Sequence, residues 1–104
     1  MTFAGYYDHD AQFFRFTSGA FTITKQGPLD AGANISDASG RYQFALLRSN
    51  SSTNCSGVVV SSPYYDGQVQ SYHWDSVPPG TYCMNVARSP LDRSYSWTGS
   101  LLLP

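Results

Sequence analysis

Two cysteines, two histidines and seven aspartates are the side chains of this 104-residue sequence that could take part in chemistry. Cys55 opens one apolar run and Cys83 sits inside another, Val77 to Arg88. Neither has a neighbouring histidine or a Cys-x-x-Cys spacing, so a reactive thiolate and a zinc centre both lack the partners they need. The pair is read as a disulfide that fixes the strand holding Cys83 to its neighbour; the alternative is two free thiols. Asp8, His9 and Asp10 form the one local cluster with metal-ligand chemistry, which Asp30, Asp37 or Asp66 could join in space. Carboxylates and carbonyls would favour calcium, and an imidazole a transition ion; the plainer reading is a solvated arm. His73 and Asp75 would point the same way in a strand, but acid–base work with a serine needs an activated nucleophile and an oxyanion hole, which no stretch supplies. No catalytic residue is assigned, and a hydrogen-bonded structural histidine is the simpler role for His73.

The remaining candidates are aromatic: Tyr64, Tyr65, Tyr72, Trp74, Tyr95 and Trp97. Aromatic faces stack on sugar rings and anchor protein interfaces, because they bury a large area at small entropic cost while keeping a polar tip. Trp74, Tyr82 and Trp97 could equally fill a core. Tyr64 and Tyr65 stand in a Pro-Tyr-Tyr-Asp-Gly turn, where the chain normally runs over the surface, so they are the best binding candidates. Asn34-Ile-Ser, Asn50-Ser-Ser and Asn54-Cys-Ser match the acceptor pattern for N-glycosylation, which matters only in a eukaryotic source.

Composition narrows what must position these groups. Charged residues are 12% of the chain and aromatics 15%, with no glutamate and a single lysine, Lys25; residues that favour exposed helix positions are nearly missing, which disfavours helix. A net charge of −1 with scattered arginines leaves no basic stripe, and this speaks against nucleic acid. No apolar run is long enough to span a membrane, and the polar N-terminus has no signal-peptide core. The Tyr, Ser, Thr and Gly content suits a secreted domain whose leader has been removed. One domain is expected from the length.

Along the chain, residues 1–11 read as an N-terminal arm or an edge strand that contributes little to the core, since Gly5 and Asp8-His9-Asp10 interrupt the alternation of Phe3, Tyr6 and Tyr7. Residues 12–104 read as the domain proper. Gln12 to Thr17 and Ala20 to Gln26 are strands, joined as a tight hairpin or as one long strand with a bulge at Gly19. Gly27 to Gly40 is mostly a loop crossing between sheets, with Ala33, Ile35 and also Leu29 able to hold a short strand. Tyr42, Phe44 and Leu46 alternate cleanly, as do Tyr82, Met84 and Val86 after the turn of Pro78, Pro79 and Gly80. Gln70, Tyr72 and Trp74 share one face of a further strand; Tyr95 and Trp97 share a face of the last, where Gly99 marks a bulge. About seven to eight strands and no helix predict an all-β antiparallel sandwich of immunoglobulin-like or jelly-roll-like kind with one disulfide.

The run G-R-Y-Q-F-A-L-L-R, the segment G-V-V-V, the stretch V-P-P-G-T-Y-C-M-N-V and a final Y-S-W-T-G-S-L resemble the bacterial pre-peptidase C-terminal domain family, from about Phe13 to Leu103. That resemblance implies a secreted β-sandwich appended to proteases and related enzymes, some of which bind collagen or polysaccharide; two departures from it are expected, a module standing alone without an enzyme and a cysteine pair. The expected function is a secreted, non-catalytic module presenting aromatic loop residues to a carbohydrate or protein surface. The alternative is a subunit of a larger secreted assembly (toxin, adhesin or inhibitor complex), joined by strand addition at an exposed edge. The oligomeric state is left open.

Overall fold

The structure is a computed structural model that describes residues 1–37, 39–50, 54–66 and 69–104, the side chains of 69 and 70 excepted. It contains ten strands and, among the described residues, no helix: β1 (Thr2–Asp8), β2 (Phe13–Arg15), β3 (Phe21–Ile23), β4 (Gly27–Ile35), β5 (Arg41–Ser49), β6 (Cys55–Ser61), β7 (Tyr65–Asp66), β8 (Val69–Val77), β9 (Gly80–Ser89) and β10 (Tyr95–Leu102). They form two antiparallel sheets, a first of order β2-β1-β10-β4-β8 and a second of order β3-β9-β5-β6, with β7 added to β5. The strand count exceeds the expected seven to eight because residues read as an arm or edge, as mostly loop and as a turn form β1, β4 and β7.

The sheets are held face to face by period-2 alternation. Phe3, Tyr7, Tyr95, Trp97, Leu29 and Ile35 from the first meet Phe21, Ile23, Tyr42, Phe44, Leu46, Tyr82, Met84 and Val86 from the second, all buried in one cluster. The Tyr95 ring packs edge-on against Tyr42, and its hydroxyl donates across the interface to the carbonyl of Val86. Burial raises the pKa of that phenol far above its ordinary value.

Four expectations are corrected. Residues 2–8 are neither an arm nor an edge but an interior strand, paired with β10 on one side and β2 on the other. Phe3 and Tyr7 point inward, and Gly5, the apparent interruption, is the inward position between them, opposite Trp97. β2 and β3 are neither a hairpin nor one bulged strand, because they belong to different sheets. Gly19 turns the chain between them with φ 76°, a backbone state a glycine adopts without steric cost. Gly27 to Ile35 is a nine-residue strand inside the first sheet rather than a loop. Gly99 causes no bulge: β10 keeps a continuous register with both β1 and β4 through it.

Cys55 and Cys83 are bonded, with Cα atoms 6.1 Å apart, but they do not join neighbouring strands. Leu47 of β5 pairs with Cys83 and Ser49 of β5 with Cys55, so the bond passes over β5. Strands flanking a third normally lie about 9–10 Å apart, too far for a disulfide. The β5–β6 ladder is irregular where the bond forms, with two register shifts between Leu46 and Ser49. Cys83, Ala45, Leu47 and Asn85 are buried on this outer side, so residues 82–86 are covered on both faces.

Candidate functional site

The outer face of the first sheet is where the fold leaves a site. Inward positions of β1, β10 and β4 carry the core, and the alternate positions carry Thr2, Ala4 and Tyr6, then Ser96, Thr98 and Ser100, then Gly32 and Asn34, with Ser71 beside them on β8. Apart from Tyr6 these side chains are small, and the face is shallowly recessed between them. Its main cavity, about 620 Å³, is lined by Thr2, Ala4, Ser18, Gly32, Asn34, Ser71, Thr98 and Ser100 among others. Asn34 and Thr98 also line a second cavity of about 250 Å³, whose Ser36 and Ser96 line a third of about 430 Å³. Tyr6 belongs to the third and to a fourth of about 250 Å³ with Arg15, Phe16 and Thr17. Neighbouring cavities share lining residues, so they lie side by side as a shallow, open groove along the face.

One end of the groove is aromatic and basic. Tyr6 is exposed and packs edge-on against Phe13, with ring centroids 6.5 Å apart, and the Arg15 guanidinium lies 4.7 Å above the Phe13 ring. The opposite corner is acidic. His73 Nδ1 stands 2.7 Å from Asp30 Oδ1 and Nε2 stands 3.2 Å from Asp75 Oδ1. The hydrogen bond with Asp30 raises the His73 pKa, partial desolvation opposes it, and the charges of both carboxylates add to the rise. The expected structural histidine is thus a bridge between β4 and β8.

Of the aromatic candidates, Trp74, Tyr95 and Trp97 are core residues, which removes them as ligand contacts: each occupies an inward position of its strand. Trp74 Nε1–H reaches the Ser61 carbonyl of the other sheet at 3.4 Å. Tyr72 and Tyr65 are half-buried and meet at 6.2 Å, and Tyr72 packs edge-on against Trp74 at 4.9 Å. These rings form a seam between β8 and β7, so Tyr65 lies in a strand and not at a bare loop tip. Burial, with the nearby Tyr72 hydroxyl, raises the Tyr65 pKa. Tyr64 is exposed, 5.8 Å from Arg41. Gly67 of the expected turn, and residues 51–53, on which the Asn50 acceptor triplet falls, lie outside the described residues.

Asp8, His9 and Asp10 are not assembled into a ligand set. Asp8 Oδ1 accepts the N–H groups of Asp10 and Ala11 at 3.1 and 3.3 Å, and the His9 N–H donates to Ser94 Oγ at 2.9 Å. Among the described residues no group of three or more His, Cys, Asp or Glu is placed to hold a metal ion.

Sequence reasoning missed a polar cluster at one end of the sheets. Arg88, 3% exposed, donates to the Ser39 carbonyl and hydroxyl, the Pro90 carbonyl and Asp92. Arg93 pairs with Asp92 and Asp37, and the Tyr42 hydroxyl donates to the Asp37 carbonyl. Hydrogen bonds from Ser39 lower the Asp37 pKa. For Asp92, desolvation works upward, but the bonds from Arg93 and Arg88 prevail and lower it. Each guanidinium nitrogen of Arg88 is committed within the protein, so this cluster fastens the β4–β5 and β9–β10 connections. Compared with protein-family models, with curated proteins and with solved structures, the chain matches none.

Proposed function

We propose that this chain is a secreted, non-catalytic binding module that holds an extended carbohydrate on the outer face of its first sheet. The observation that carries this reading is the row of adjoining shallow cavities, from Thr2 and Ser71 through Asn34, Thr98, Ser36 and Ser96 to Tyr6. Sugars present hydroxyl groups along their rims and C–H groups on their faces. A floor of Ser, Thr and Asn side chains offers donors and acceptors without the desolvation cost of ions, and an exposed tyrosine offers a stacking face. This moves the contact surface from the loop at Tyr64 and Tyr65 to the sheet. The disulfide and the low charge support secretion, and the paired sheets with short linking strands support an immunoglobulin-like or jelly-roll-like class.

Calorimetric titration with oligosaccharides of graded length tests it: affinity is expected to rise with each added sugar until the groove is filled, and to fall when Asn34 and Thr98 are both changed to leucine. Binding that is indifferent to length or to those changes would place the site elsewhere. A second reading has one observation behind it. Val58 is 62% exposed on the edge strand β6, and exposed apolar edges invite strand addition by a protein partner.

A further inference from the structure

We infer that the glycan held in this groove is acidic, with a carboxylate taken by Arg15 at the β1–β2 end; the inference rests on the groove being a glycan site. Arg41, Arg88 and Arg93 each pair with an aspartate, and Arg48, near the Tyr82 ring, belongs to the second sheet. Arg15 has no ion pair among the described residues and lies over the Phe13 ring. The ring restrains the guanidinium without using its in-plane donors, which leaves the fork open for a carboxylate. Tyr6 stands beside it, exposed, and both line the same cavity of about 250 Å³. A pyranose stacked on Tyr6 would lie within reach of Arg15, whose open fork suits a carboxylate on C5. Asp8 lines the adjoining cavity at this end, with its Oδ1 accepting the N–H groups of Asp10 and Ala11, and its charge works against an anion there, which Arg15 must outweigh.

The far corner of the same sheet face, beyond Gly32, Ser71 and Ser100 of the groove lining, carries the opposite charge. Asp30 and Asp75 place two carboxylates around the one imidazole of His73, so that end repels anions even when the histidine is charged. Strand spacing and rise put the two corners on the order of 25 Å apart, beyond the range at which they would neutralise each other in physiological salt. An acidic oligosaccharide is then held with a carboxylate at Arg15, whereas a neutral one gains only hydrogen bonds to its hydroxyls there, without the charge assistance.

The experiment is calorimetric titration of the whole chain with uronate hexamers of several linkages, alongside the same hexamers with carboxyl groups reduced to alcohols, in low and high salt. The acidic form is expected to bind about tenfold more tightly in low salt, with the preference lost in Arg15→Gln, partly kept in Arg15→Lys, and the melting temperature unchanged in both. If the reduced hexamers bind as well as the acidic ones, or Arg15→Gln keeps the preference, this inference falls while the glycan reading stands. If neither form binds, both fall.

Discussion

The indole of Trp97 fills the space that a side chain at Gly5 would need: a Cβ there would lie 2.4 Å from Trp97 Cζ2 and 2.5 Å from the Arg15 carbonyl oxygen. Gly99 stands in the same relation to Phe3, its Cβ position 2.6 Å from Phe3 Cζ and 2.2 Å from the Gly32 carbonyl oxygen. Backbone on the second side of each contact cannot swing away as a side chain can. Gly5→Ala is therefore expected to destabilise the fold by about 2–4 kcal/mol, measured by chemical denaturation. A change under about 0.5 kcal/mol would mean the sheet accommodates a methyl group there.

Part of this architecture was legible beforehand. Tyr42, Phe44 and Leu46, and Tyr82, Met84 and Val86, declare their strands because every second side chain is apolar, and the all-β class follows from them. β1 was hidden because its inward row is Phe3, Gly5, Tyr7, and the reason for a glycine there is a tryptophan at the far end of the chain. β4 was hidden because Gly27, Pro28 and Gly32 read as loop residues when no partner strand is in view. The groove could not be read at all. Its floor is Thr, Ser, Asn and Gly spread over four strands, and only the register brings them together; Tyr6 gave no signal of exposure until Tyr7 was known to face inward. Trp74, Tyr95 and Trp97 were candidates for the same reason in reverse, since an aromatic ring in a strand has the same spelling whichever way it points.

Removing the cross-link by Cys55→Ser with Cys83→Ser is expected to cost on the order of 3–4 kcal/mol, given the 28-residue separation. Because the bond spans β5, the loss should appear as exposure of Leu47 and Asn85 amides to hydrogen exchange as well as a lower melting temperature. Unaltered exchange at these positions would show that β6 holds its place by strand pairing alone.

His73 should give the fold a pH dependence of defined sign. Both ring nitrogens face carboxylates, so the folded state favours the imidazolium and raises its pKa above the ordinary 6.5. The bridge then contributes fully below about pH 6.5 and is lost as pH rises through the folded-state value. The melting-temperature difference between the natural chain and His73→Asn is expected to be largest in mildly acidic solution and to shrink as the solution becomes alkaline. A difference that grows with pH would reverse the assignment.

Tyr6 and Trp74 separate recognition from packing. Tyr6→Ala should leave stability within about 1 kcal/mol and weaken oligosaccharide binding by about tenfold, while Trp74→Ala should cost about 3–5 kcal/mol whether or not a ligand is present. Melting and titration on the same samples decide it. Equal effects of the two changes on stability would make Tyr6 a core residue and close that end of the groove.

The place of β10, hydrogen-bonded between β1 and β4, sets a condition on biosynthesis. The strand made first in the described chain has β10, the strand made last, as its link to the rest of the first sheet, so β1 and β2 must wait, their apolar faces uncovered, until residue 102 is available. The second sheet is complete earlier, once β9 has been made. Within the described chain the second sheet can therefore form before the first, whose outer face is completed only when β10 joins β1 to β4. A chain halted before β10 would present Phe3, Tyr7 and Ile35 to chaperones instead of presenting Thr98 and Ser100 to a ligand.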